Sequence, residues 1–393
     1  MHRKTHVDFL ASIHAVKMML KIVIYLGLLW CAHGAAYAQG RDLLPASDSQ
    51  VVEKLAPRVE RKPKTPAAAA IAAKQAITLA RESAQARYLG RAQAVLQPWW
   101  DKADAPTELA VLQATVQQSR HEFAAAHTVL ERVLQREPQH AQALLTLATL
   151  ERVAANYPAA ERACAQLRQT TAVLYAQACS LETQSLQGKH RAAQQGFASL
   201  LANAADPATQ SWLWSLAGEN EERAGHDDKA YQAYQTSMQL ATDNYTALAA
   251  ADLLLRTGQA AAALPWLSKL PDSEATLLRR AYAYKQLQDP QWKEIAQELE
   301  QRFTALEQRG DAPVLHARER VLAYLWLAQD GAKALQSAQL NLSLQKEPLD
   351  WWIALQSAQL AKDSVSTQKI LSDLAAAGLR DSRLVLSTKM TQK

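Results

Sequence analysis

Long apolar runs are nearly absent from this 393-residue chain. Only Ile22–Ala32 is continuous, and its 11 residues fall short of the about 20 that span a bilayer. Glycine is scarce, at 12 residues, and no phosphate-binding glycine loop or nucleophile elbow is present. No segment sustains an apolar/polar alternation of period two, which argues against sheets. His121-Glu122 begins like a zinc-protease motif, but the next histidine is His127, six residues on where four are needed. Lysine and arginine are not gathered into one patch, so no nucleic-acid footprint is expected. Together these absences argue against an enzyme, and no cofactor or metal is expected.

What the chain does carry begins with an amino-terminal address. Arg3, Lys4, Lys17 and Lys21 precede the apolar run, and Ala36-Tyr37-Ala38 follows it. This is the charged, apolar, small-residue order of a secretory signal. Residues 1–38 are therefore read as a signal peptide cleaved after Ala38, with translation from Met18 or Met19 as a variant. A retained anchor is the weaker reading on length. A lipidated Cys31 is set aside because Trp30 stands where a lipobox needs a small residue. Export points to a bacterial periplasm. The signal holds four of the 43 basic residues and one of the 38 acidic ones, so the mature chain sits near neutrality. Residues 39–66 carry Pro45, Pro57, Pro63 and Pro66 and few large apolar side chains, the composition of a flexible linker.

From residue 67 onward a small residue recurs: Ala92, Ala126, Ala160, Ala193, Ala230, Ala263, Ala296, Ala334. The interval stays near 34 residues, which predicts helix–turn–helix repeats with the alanine early in each second helix. Two units carry further landmarks. One has Leu144, Leu147 and Ala148 with Tyr157 before Ala160; the other has Trp214, Ala217, Gly218, Gly225, Ala230 and Tyr234. On these residues the chain resembles the tetratricopeptide-repeat family. The resemblance implies an all-α fold, an α-solenoid of eight clear units and a poorer ninth over 67–393.

Gly188, Gly225, Gly258 and Gly331 are read as turns between paired helices. The unit around Ala296 departs from the pattern: Asp289-Pro290 replaces the turn and the second helix runs on to about Gln308. At the carboxyl end, Gly378 stops the last helix. Arg380-Asp381-Ser382-Arg383 is read as the polar outer face of a terminal cap.

Cys164 and Cys179 are equidistant from a connection near Gln169–Thr171. Antiparallel helices would bring them together, and an exported protein meets an oxidising compartment. A disulfide is expected, with two buried free thiols as the alternative.

Such repeats line a concave groove with their first helices. In three consecutive units the second position is Tyr175, Trp212 and Tyr245; the ninth is Glu182, Glu219 and Asp252, with Glu222 on the same face as Glu219. Aromatics beside carboxylates suit an extended protein or peptide segment with basic and apolar side chains. The same residues have a plainer reading as packing aromatics and solvated acids. The family's carboxylate clamps use Lys, Arg and Asn, so binding of a carboxyl terminus is not implied. The function expected is a periplasmic interaction scaffold. The alternative is an envelope glycan or peptidoglycan binder using Trp212, Trp214 and Tyr245. His121, His190 and His226 fall near turns and read as solvated edge residues before they read as metal ligands.

Overall fold

The computed structural model describes residues 65–310 and 312–384. The signal peptide, nearly all of the linker and residues 385–393 lie outside the described residues. Eighteen α-helices are present, and no strand occurs among the described residues. They are α1 (Pro66–Ser83), α2 (Arg87–Leu96), α3 (Thr107–Ser119), α4 (Phe123–Arg136), α5 (Ala141–Val153), α6 (Tyr157–Leu167), α7 (Val173–Leu186), α8 (His190–Asn203) and α9 (Pro207–Ala224). The second half holds α10 (Asp227–Leu240), α11 (Asn244–Arg256), α12 (Ala260–Leu267), α13 (Glu274–Gln286), α14 (Gln291–Gln308), α15 (Ala317–Leu322), α16 (Gly331–Leu344), α17 (Pro348–Leu360) and α18 (Ser364–Ala377). A π-helical turn, Ala323–Ala328, extends α15. Consecutive odd and even helices pair, giving nine units.

Helix starts follow local chemistry. Asp206, Asp243, Asp330 and Asp363 each accept a backbone N–H three residues on, at 2.8–3.0 Å. Pro66, Pro207 and Pro348 occupy first-turn positions, where the missing N–H costs nothing. The turn inside every unit contains one residue in the left-handed region: Ala84, His121, Ala155, Gly188, Gly225, Gly258, Gln288, Gln329 and Lys362. Only three are glycine, so the glycine reading of the turns captured a third of a feature present in all nine. Gly331 is not one of them. It opens α16, and a Cβ there would stand 2.5 Å from the Ala361 backbone nitrogen, so its role is close packing against the end of α17.

A side chain other than glycine at such a φ costs roughly 1 kcal/mol or more. Lys362 is exposed with φ 55°. Lys362→Gly is therefore expected to raise stability by about 0.5–1 kcal/mol, seen as a higher denaturation midpoint; an unchanged or lower midpoint would contradict the strain argument.

The periodic alanine is fully buried in seven of the eight units. Ala296 is the exception: it is only partly buried, and Leu299 and Phe303 supply the buried face of α14. The expectation of a tight slot at Ala296 is corrected. In this unit the small residue does not occupy the crossing point that the other seven fill. The long run of that helix to Gln308 is as expected. Close crossings are enforced elsewhere by glycine. A Cβ on Gly218 would lie 2.5 Å from the ring of Tyr234, a fully buried side chain of α10.

Cys164 of α6 and Cys179 of α7 form a disulfide with Cα atoms 5.6 Å apart, joining two adjacent units in the buried core.

The array winds back on itself. The Asn244 side chain at the start of α11 donates to the carbonyls of Arg81 and Glu82 at 2.9 and 3.0 Å. Lys346 N–H donates to the Val153 carbonyl at 2.8 Å. Tyr157 and Leu186 join the apolar cluster built by α13 to α18. The segment after α18 turns inward. Leu379 and Leu384 are 2% and 3% exposed, and Asp381 is 4% exposed. The reading of Arg380–Arg383 as a water-facing cap is corrected. Two leucines flank the polar quartet and draw Asp381, Ser382 and Arg383 inward, where both charges find partners, while the Arg380 side chain stays exposed.

Candidate functional site

The first helices of the units from α5 to α17 surround a cavity of about 300 Å³. Glu182, Glu219, Glu222, Tyr245 and Asp252 all line it. Five of the seven groove residues expected from sequence register are thus brought together. Tyr175 and Trp212 are not among the lining residues. They pack against each other near the starts of α7 and α9, centroids 5.4 Å apart and ring planes tilted by 36°, with Tyr175 43% exposed.

The carboxylates are not a free acidic column. Glu182 pairs with Arg152 at 2.9 Å, and Glu219 pairs with Arg223 at 3.2 Å. Asp252 holds Arg279 with two bonds of 2.7 and 2.6 Å. Glu222 accepts from Tyr234 at 3.0 Å, Arg256 at 3.1 Å and Arg383 at 3.0 Å. The groove interleaves acids with arginines, and its attraction for a basic partner is reduced accordingly. Burial raises the Glu219 pKa, with Arg223 opposing the shift. Tyr245 is 61% exposed, yet its hydroxyl donates to Glu219 at 2.7 Å; that carboxylate, with desolvation of the hydroxyl, raises the tyrosine pKa well above its usual value.

The arginines were missed in the sequence. Glu219 and Arg223 stand four apart on α9, a spacing that could have flagged one pair. Arg152, Arg279 and Arg318 meet acids on neighbouring helices, and no local spacing announces that. Arg318 of α15 reaches Asp350 through two bonds of 2.8 and 2.7 Å and Glu347 at 2.6 Å. Asp350 is fully buried and also accepts from Asn341 at 2.7 Å and from the Glu347 N–H at 2.8 Å.

One edge of the cavity is formed by the chain's own carboxyl-terminal segment. Arg380 N–H donates to the Leu186 carbonyl at 2.8 Å, the Ser382 hydroxyl donates to the Glu222 carbonyl at 3.3 Å, and Arg383 pairs with the Glu222 side chain. A Cβ on Gly188 would meet Arg380 Cβ at 2.8 Å, so that turn's lack of a side chain makes room for the segment. Beneath it lie two buried donors without a hydrogen-bond partner among the described residues, Arg223 Nη2 and Tyr157 Oη.

No three His, Cys, Asp or Glu side chains converge to hold a metal among the described residues. His226 bonds Glu221 at 2.8 Å, whereas His121 and His190 have buried Nδ1 atoms without partners. The reading of those two as solvated is corrected in part: both are half-buried with the Nδ1 edge covered, and burial lowers their pKa values from 6.5. Their neutral forms belong to the folded state. Stability is therefore complete above pH 6.5 and is lost as pH falls through the lowered values. His121→Asn keeps a side chain tolerant of the left-handed turn but removes the titration. Its stability is expected to fall less than that of the parent between pH 7 and 5; equal pH profiles in urea melts would overturn this.

No helix among the described residues is long and apolar enough to cross a membrane. No family model matches the chain, and no curated protein matches it. Solved structures do. A Rap protein complexed with competence and sporulation factor superposes with a TM-score of 0.50 at 10% identity, over 81% of this chain and 87% of that one. The Cut9–Hcn1 hetero-tetramer of the APC/C gives a TM-score of 0.48 at 14% identity, over 79% and 63%. A tetratricopeptide repeat protein from Parabacteroides merdae gives 0.37 at 13% identity, over 73% and 99%. The fold is that of a tetratricopeptide-repeat array.

Proposed function

We propose that this tetratricopeptide-repeat array is a non-enzymatic scaffold, exported to the periplasm, that binds an extended protein segment in its concave groove. The observation that carries the reading is the seating of residues 379–384. The groove already holds a stretch of polypeptide through main-chain and side-chain bonds to α7 and α9. The structural neighbour described in complex with a second factor is consistent with this at the level of fold. The exposed ring of Tyr245 and the Tyr175–Trp212 pair add aromatic surface beside the cavity. A glycan platform is less well supported, because Trp212 packs on Tyr175 instead of presenting a free face with Tyr245.

A photoreactive residue replacing Tyr245 tests the site in intact cells, with Lys369 as the control, exposed on α18 at the array's end. A discrete protein adduct from position 245 and none from 369 is expected. Adducts from 369 alone, or from neither, would refute the groove. Fractionation tests the export: the processed chain, beginning after Ala38, is expected with periplasmic markers.

A further inference from the structure

We infer that Leu379–Leu384 is a tethered, incomplete occupant of the groove, and that the partner is an extended peptide combining an acidic and a basic residue, which displaces it. The inference rests on the groove reading above and specifies the partner's chemistry.

The segment satisfies only part of the site. Its apolar ends are buried, its Arg380 N–H meets the Leu186 carbonyl, and Arg383 meets Glu222. Its acid, however, is used internally. Asp381 accepts from the Arg383 backbone N–H at 3.0 Å and from Arg383 Nε at 2.9 Å, with a further bond to Nη2. Arg223 is 4% exposed and bonds Ser185 at 3.0 Å and Glu219 at 3.2 Å, which leaves Nη2 without an acceptor. Tyr157 is 1% exposed and its hydroxyl has none either. The neighbours of Asp381 reach both surroundings: Ser382 bonds the Glu222 carbonyl beside Arg223, and Leu379 and Leu384 share the apolar cluster of Tyr157, yet Asp381 bonds neither group. Buried donors left unpaired cost free energy that a better-fitting ligand recovers.

A carboxylate one methylene longer at the Asp381 position would reach toward Arg223 Nη2 and Tyr157 Oη while keeping the arginine for Glu222. Such a partner carries the pattern apolar–Arg–Glu–x–Arg–apolar. Tethering gives the internal segment a local concentration of order millimolar, so a weak occupant keeps the groove filled until a stronger one arrives.

The geometry also supplies a lock. An ideal Cβ on Gly225 stands 3.3 Å from Ser382 Cβ, close to the roughly 3.5–4.5 Å of disulfides. The native disulfide is buried, with its cysteines 0% and 2% exposed, so a mild reductant opens the new bond first. The experiment uses the full chain carrying Gly225→Cys and Ser382→Cys, oxidised and reduced, with circular dichroism to show that both states are folded. The probes are two labelled peptides, residues 377–386 as they stand and the same peptide with Glu for Asp381.

Reduced protein is expected to bind the Glu peptide at least tenfold more tightly than the Asp peptide, and oxidised protein to bind neither. Equal binding by both redox states would mean the peptides dock elsewhere and would overturn the inference. Binding by neither folded state would show that the segment is a fixed part of the array. Equal affinity for the two peptides in the reduced state would remove the Arg223–Tyr157 acid subsite. The adduct at position 245 is read separately, so the groove reading can survive each of these failures.

Discussion

Asp350→Ala is expected to destabilise the protein by about 3–5 kcal/mol, the cost of leaving a buried charge without its partner. Arg318 is held by two bonds from Asp350, whose side chain is fully buried, and by one from Glu347. Asp350 also closes the capping box at the start of α17 and orders Asn341 of α16. Alanine removes all of these at once. The loss is larger than that of a surface ion pair, about 0–1 kcal/mol, because the carboxylate is screened from water. Replacing Arg318 by Met together with Asp350 by Leu should recover part of the loss, since no buried charge is left unpaired while the cap and the Asn341 bond stay lost. Denaturant unfolding measures both variants. A loss below about 1 kcal/mol for the alanine variant would show that Arg318 swings to solvent and that the network is superficial.

Removing the disulfide, by Cys164→Ala with Cys179→Ala, should cost about 3 kcal/mol, the loop entropy of a crosslink spanning 15 residues. The bond ties α6 to α7 across the junction between adjacent units, so its loss should expose that junction first. Hydrogen exchange reads this directly: faster exchange in α6 and α7, with α1 to α3 unchanged. Thermal melts of the parent with and without reductant should differ by a similar amount to parent and variant. Identical melts would mean the crosslink constrains nothing that packing does not already hold. The same comparison bears on export, because only protein matured in an oxidising compartment carries the bond.

Much of the array is visible in one sequence because nearest-neighbour packing is periodic. Every alanine slot but Ala296 repeats the same crossing of two helices, and Cys164 and Cys179 flag their pairing by symmetry about one turn. At Ala296 the alanine pattern continues in sequence while its structural meaning lapses, because Leu299 and Phe303 supply the buried face of α14 instead. Four turns were read through glycine and one through Asp289-Pro290, although Ala84, His121 and Lys362 adopt the same left-handed backbone at some strain. Register in the sequence runs through acids that the fold brings to one cavity, but it gives no sign of the arginines paired with them. Arg152 to Glu182 and Arg279 to Asp252 join different helices, and their pairing depends on rotation between units. The burial of Leu379 and Leu384 depends on winding of the whole array, which no short pattern encodes.

That winding sets how the protein should come apart. In an open array each unit touches only its neighbours, and ends fray while the middle persists. Here Asn244 bonds residues 162 and 163 positions earlier, and Ser382 bonds Glu222 across 160. Such ties couple distant units into one cooperative transition and raise the entropy cost of closing the fold, so folding should be slow for an all-helical chain. A ribosome would have to deliver the final residues of the array before its central units reach their full stability.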